Sequence, residues 1–162
     1  MSAAPDCQIH LRLDAADRDG IDRIVRTVGV FRADEIDVAL EVVDARLAGD
    51  GHYLFAVAKN GAQIAGYAVW GHTPCTDAVY DLYWIAVDPT LHGQGVGRQL
   101  MAACEHDVRA RGGRMVLIET EGTPPYEATR RFYLSLGYAE VARIGDFYRP
   151  GADKVVYRRS LG

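Results

Sequence analysis

The 162-residue chain is short of several things, and each shortage excludes a class of protein. Its three cysteines, Cys7, Cys75 and Cys104, are an odd number without a Cys-x-x-Cys spacing, so a disulfide framework is not expected. Positive charge is not in excess: 18 Lys and Arg face 22 Asp and Glu, for a net charge of −4. Nucleic-acid binding rests on clustered Lys and Arg that neutralise phosphates, so no nucleic-acid partner is expected. No apolar run approaches the ~18 residues of a membrane span, and no membrane partner is expected. The opening MSAAPDCQIHLRLD lacks the basic-then-apolar layout of a secretory signal, which points to a cytoplasmic protein. Histidines at 10, 52, 72, 92 and 106 are scattered. Only His72-Thr73-Pro74-Cys75 approaches ligand spacing, and one pair cannot complete a zinc site, so no metal is expected. There is no internal repeat, low-complexity stretch or linker.

What is present is the composition of an ordinary globular domain, 49% apolar and 25% charged, in a length that suits one domain over residues 1–162. Ile9, Leu11 and Leu13 alternate as one face of a strand over 8–13. After Asp14, a plausible N-cap, Ile21, Ile24, Val25 and Val28 recur at helical spacing. Ile36, Leu40, Val43 and Leu47 do the same in a second helix over 34–47. Two apolar runs joined at Asn60-Gly61 form a hairpin, because Asn-Gly accepts the positive φ angles of a tight turn. A third strand covers 79–87. A helix with the stripe Val96, Leu100, Met101, Cys104 and Val108 follows, and then the continuously apolar strand 115–118. Pro124-Pro125 precede a helix over 126–136. Two strands near 138–144 and 154–160 close the chain around a loop over 145–151. The order β-α-α-β-β-β-α-β-α-β-β describes an α/β fold with a mixed sheet and helices on its faces.

His92-Gly93-Gln94-Gly95-Val96-Gly97 sits between a strand and a helix N-terminus. There, glycines let the backbone approach and unpaired amides favour phosphate oxygens. A P-loop is excluded, because the chain contains no Lys-Ser or Lys-Thr pair. The dinucleotide fingerprint is imperfect: the sixth place from Gly93 is Arg98, although Glu119 falls about 20 residues on.

Residues 85–100 resemble the acetyl-CoA motif of the GNAT acetyltransferase superfamily, [QR]-x-x-G-x-[GA]. Gly95 and Gly97 match, and His92 stands in the first place. Phe132-Tyr133-Leu134-Ser135-Leu136-Gly137-Tyr138 resembles the family's downstream tyrosine helix. The resemblance spans nearly the whole chain and is nearest the ribosomal-protein-alanine and N-terminal protein acetyltransferases. It implies a mixed, mostly antiparallel sheet of six to seven strands with about four helices, and acetyl-CoA as acetyl donor. It also implies that Ile85, Ala86 and Val87 meet the pantetheine arm, while His92, Gly93, Gln94, Gly95, Val96, Gly97 and Arg98 cradle the pyrophosphate. A backbone amide near Val87 would stabilise the oxyanion.

Acetyl transfer to an amine needs one proton removed from the amine and one delivered to the leaving thiolate. By resemblance, Tyr133 is the acid; without the motif it would read as a core tyrosine. The base is open between Asp81, Glu119 and a water. Some protein-lysine members carry a glutamate base at the position of Asp81, and the alanine acetyltransferases place theirs at that of Glu119. Nine acidic residues against five basic ones between Asp14 and Leu47 would draw a cationic amine, though a solvated helix face explains them equally. Tyr80, Tyr83 and Trp84 could wall the acceptor pocket. The stretch 146–153 resembles the Tyr-Tyr-x-x-Gly-x-Asp loop of N-terminal acetyltransferases, which marks Tyr148 as a substrate contact. Two extra residues separate Glu119 from Tyr133 relative to the alanine acetyltransferases, so substrate identity does not carry over. The expected activity is N-acetylation of a primary amine on a small molecule, peptide or protein; the alternative is a CoA-binding regulatory module of the same fold. The closing strands could pair across a two-fold axis in a homodimer.

Overall fold

The computed structural model describes residues 6–162; residues 1–5, at the start of the segment read for a secretory signal, lie outside it. The elements are β1 (Gln8–His10), α1 (Arg18–Thr27), α2 (Ala33–Leu47), β2 (Leu54–Asn60), β3 (Gln63–His72), β4 (Val79–Val87), α3 (Val96–Ala110), β5 (Met115–Glu121), α4 (Glu127–Ser135), β6 (Ala139–Arg149) and β7 (Ala152–Ser160). Single 3₁₀ turns at Ala15–Asp17, Pro89–Leu91 and Pro124–Tyr126 lead into neighbouring segments.

The seven strands form one sheet in the order β1-β2-β3-β4-β5-β7-β6, antiparallel except for the β4–β5 pair. Its two faces bury separate cores, because successive side chains on a strand point to opposite sides. On one face Leu100, Met101 and Cys104 of α3 and Tyr133 of α4 pack on Val116, Ile118 and Tyr157. On the other, Ile21, Ile24 and Val25 of α1 and Leu40 and Val43 of α2 pack on Phe55, Tyr67 and Val69.

The parallel β4–β5 ladder is short. It runs from Val79–Met115 to Leu82–Ile118 and stops. Beyond that point β4 stays paired with β3 as far as Val87, and β5 stays paired with β7 as far as Glu121. A bulge in β4 lies at that point. Val69 pairs with Trp84 and Trp70 with Leu82, which leaves Tyr83 as the extra residue of β4. A bulge bends its strand and increases the local twist. It also breaks the alternation: Tyr83 and Trp84 both pack towards α1 and α2, while Leu82, Ile85 and Val87 pack towards α3 and α4.

Three expectations need correction. The first strand ends at His10, and the proposed common face dissolves: Ile9 packs on the α3 side, Leu13 on the α1 side, and Leu11 is exposed. The stretch 145–151 is mostly strand, because β6 continues to Arg149 through a register shift between Ile144 and Arg149. Asp146, at φ +53°, sits in that irregularity; its amide donates to Asp153 Oδ1 at 3.1 Å and its Oδ1 accepts the Gly151 amide at 2.6 Å. Tyr80 faces away from the acceptor side and is buried in the α3-side core.

Candidate active site

The separation of β4 from β5 opens a slot in the sheet, and a cavity of about 580 Å³ passes through it. Ile85, Ala86 and Val87 line it from β4, where one edge of the strand has no neighbour. At the end of β4, Asp88 accepts hydrogen bonds from the Thr90 amide at 3.0 Å and from Arg23 Nη1 at 2.7 Å. Burial opposes ionisation of Asp88, but the bonds from Arg23 and Thr90 outweigh it and hold the carboxyl below its ordinary range. This anchors the glycine loop to β3 and α1, since the Asp88 amide also donates to the Ala65 carbonyl and Arg23 Nη2 to the Ile64 carbonyl.

Gly93 (φ +75°) and Gly95 (φ +86°) occupy the left-handed region, which side chains with a Cβ enter only at a cost. The first hydrogen bond of α3 runs from the Gln99 amide to the Gly95 carbonyl at 3.0 Å. The amides of Val96, Gly97 and Arg98 therefore lack helical acceptors and face the cavity end. Gly97 has a second constraint: a Cβ there would lie 3.2 Å from the Phe132 ring of α4. His92, Gly93, Gly95, Val96, Gly97 and Arg98 all line the cavity. Gln94 does not; its amide donates to the Leu91 carbonyl and its side chain to the Thr90 carbonyl at 3.1 Å. The His92 ring donates from Nε2 to the Val87 carbonyl at 2.9 Å and ties the loop to the end of β4.

Tyr133 lines the slot from the α4 side, next to Phe132. Burial, and then the neighbouring Tyr126 and Tyr157, push its phenol well above the ordinary value, so it is a protonated donor at neutral pH. Glu119 lines the same cavity from β5. Val116 and Ile118 point to the α3 side, so by alternation Glu119 and Glu121 point to the α1 side. The acid candidate and this carboxylate therefore reach the slot from opposite faces of the sheet. Glu119 also accepts an ion pair from Lys154 Nζ at 2.7 Å. Asp81 does not border the main cavity. It lines a smaller one of about 280 Å³, with Leu82, Tyr83, Glu119 and Tyr148, and accepts a 2.7 Å hydrogen bond from Thr73 Oγ1.

The α1 side of the slot is aromatic and acidic. Trp84 meets Phe31 edge to face at 5.1 Å, and Tyr83 and Tyr148 border both cavities. Tyr148 lies in the irregular part of β6, and burial, then Glu119, Glu121 and Glu35, raise its phenol. Sequence reasoning missed Phe31, Glu35, Glu121 and Tyr126 here. The two-residue period from Glu119 carried a signal for Glu121, and the others come together only through tertiary packing. Glu121 is buried against Arg149, whose two guanidinium nitrogens donate to it at 2.7 and 3.1 Å. Pro124-Pro125 form the turn that brings Tyr126 over the cavity, where its hydroxyl donates to the Val30 carbonyl at 3.2 Å. Burial and the carboxylates of Glu35 and Glu121 push that phenol up to about 12.

No described helix is long and apolar enough to cross a membrane. Residues 50–140 match the family model for the acetyltransferase (GNAT) domain. The N-alpha-acetyltransferase RimI of Mycobacterium tuberculosis is 34% identical over 116 residues, which cover 68% of each chain. A solved structure assigned to the GNAT family, from Desulfovibrio desulfuricans, aligns with a TM-score of 0.93 at 40% identity, over 96% of this chain and 99% of that one. The ribosomal-protein-S18-alanine N-acetyltransferase of Escherichia coli shares the fold at 21% identity, with a TM-score of 0.77 over 96% and 94% of the two chains. The family model covers more than half of the chain, and the chain belongs to the GNAT acetyltransferase family.

Proposed function

We propose that this protein transfers the acetyl group of acetyl-CoA directly to a primary amine, with the α-amine of a peptide as the first acceptor class to test. The observation that carries the reading is the slot itself, with a protonated tyrosine on one face of the sheet and a carboxylate on the other. The donor fits the residues present. The free amides of Val96, Gly97 and Arg98 suit a diphosphate, and the unpaired edge of β4 at Ile85, Ala86 and Val87 suits the amide-bearing pantetheine arm. When bound, acetyl-CoA supplies a thioester-linked acetyl group. The mycobacterial relative, an N-alpha-acetyltransferase, supports an α-amine acceptor.

The chain's own residues then have two proton tasks. Glu119 attracts the ammonium form of the acceptor and takes its proton, with the acidic and aromatic wall of Glu35, Trp84 and Tyr148 holding the amine. Asp81 stands one cavity away and engaged with Thr73, which favours Glu119 over it. Tyr133 delivers its proton to the sulfur as the C–S bond breaks and the C–N bond forms. A β4 amide near Val87 donates to the carbonyl oxygen as charge builds on it.

A thermal-shift titration with acetyl-CoA and NADH, followed by CoA release with free-N-terminus peptides, an N-acetylated lysine peptide and small amines, tests the reading. A ligand at a hundred times its Kd stabilises the fold by ~2.7 kcal/mol. Stabilisation by acetyl-CoA and turnover with at least one amine are expected. Stabilisation without turnover would leave a CoA-binding module, and stabilisation by NADH alone would mean that the loop holds a nicotinamide dinucleotide.

A further inference from the structure

We propose that His52 is the terminal acceptor of the amine's proton, reached through the hydroxyl of Tyr83; this rests on the slot being an acetyl-transfer site. Tyr83 is the bulged residue of β4, and the bulge turns its ring onto the face covered by α1 and α2. It is one of the few side chains that border both the slot and the smaller cavity, and Glu119 is another. Its hydroxyl lies 2.9 Å from His52 Nε2, and His52 is exposed to solvent in the segment between α2 and β2. One side chain therefore connects the reaction space to a ring that exchanges protons with bulk water.

The contact is built into the backbone. A Cβ on Gly71 of β3 would lie 2.9 Å from the Tyr83 ring, 3.1 Å from His52 Nε2 and 2.8 Å from the His52 carbonyl. Only glycine leaves room for both rings over that strand. Tyr53 packs edge to face against both, with centroids 5.1 Å from His52 and 5.8 Å from Tyr83. Asp50 fixes the segment by accepting the His52 amide at 2.8 Å. The charged and titratable groups around the pair are thus Asp50, Tyr53 and Asp81, whose charge acts on Tyr83.

Glu119 collects the proton but is ion-paired with Lys154, so it must pass the proton on before the next turnover. Imidazole is the side chain that ordinarily changes charge between pH 5 and 8. Tyr83 receives the proton from Glu119 through the smaller cavity and passes its own to His52 Nε2. The ring then releases one proton from Nδ1 to water, and solvent exchange restores the starting tautomer. Each turnover moves one proton from amine to solvent and leaves Glu119, Tyr83 and His52 with the charges they began with.

CoA release by the wild type and by His52→Gln, His52→Ala and Tyr83→Phe, with the best amine of the panel above, tests the relay. Glutamine can keep a hydrogen bond to Tyr83 but cannot carry a proton. We expect kcat to fall about tenfold in His52→Gln, less than the ~10²-fold or more of a general acid or base in direct contact with the reacting atoms, with both KM values unchanged. Free imidazole should restore His52→Ala and leave Tyr83→Phe unrestored. Thermal melts of each variant check folding. Wild-type kcat in His52→Gln, or no restoration of His52→Ala, overturns the relay while leaving the acetyl-transfer reading intact. No turnover by the wild type with any amine removes both.

Discussion

The His92 ring donates to the Val87 carbonyl at 2.9 Å, so the first position of the glycine motif is tied to the last residue of the strand that flanks the slot. The bond holds the loop in register with the free edge of β4. Its removal in His92→Ala should cost about 1 kcal/mol of acetyl-CoA affinity, roughly a fivefold rise in Kd, with little change in melting temperature. Calorimetric titration of the variant checks this. An unchanged Kd would show that the loop is held by the Asp88–Arg23 pair alone.

Glu119 lines the slot and Asp81 does not, so the two carboxylates should separate kinetically. Glu119→Gln should lower kcat by ~10²-fold, whereas Asp81→Asn should stay within a few-fold of the wild type. Parallel CoA-release assays decide it, and the reverse order would move the base to Asp81.

Tyr67 carries the one buried side-chain polar atom without a hydrogen-bond partner among the described residues. Its ring stacks near Phe55 in the α1-side core, well inside the sheet. A buried hydroxyl without a partner bears its desolvation cost uncompensated, so Tyr67→Phe should raise unfolding stability by about 1 kcal/mol. Urea unfolding measures the change, and a loss of stability would reveal a partner for the hydroxyl.

Glu121 is buried beneath Arg149, whose hydrogen bonds, the largest influence, outweigh burial and hold its carboxyl below the ordinary value. A carboxyl with a folded pKa below its unfolded one adds stability that is complete above the unfolded value and disappears as pH falls through the folded one. Acid should therefore remove this contribution below about pH 4. Glu121→Gln should flatten the stability–pH curve in that window. A curve that keeps the wild-type slope there would place the acid sensitivity elsewhere.

The order of elements, the glycine loop and the tyrosine helix were legible in the sequence because each is written in local spacing. The stripe from Val96 to Val108 and the turn at Asn60-Gly61 need no distant partner to be read. The slot was not legible. It exists because the β4–β5 ladder ends at Leu82–Ile118, and where two strands part is decided by their other neighbours. Strict alternation would group Trp84 with Tyr80 and Leu82, but the bulge at Tyr83 puts Trp84 on the opposite face. The same limit hid the continuation of β6, since Gly145, Pro150 and Gly151 read as a loop, while the structure shows Asp153 holding a kink at Asp146 within the strand.

The proposed mechanism turns on Tyr133, the tyrosine of α4 that lines the slot. CoA release by Tyr133→Phe, at saturating acetyl-CoA and amine, tests its role most directly. The expected result is a kcat reduced by ~10²-fold or more with acetyl-CoA affinity retained, as the variant keeps the ring and loses only the proton. Turnover equal to that of the wild type would contradict the assignment and leave the leaving thiolate to be protonated by water.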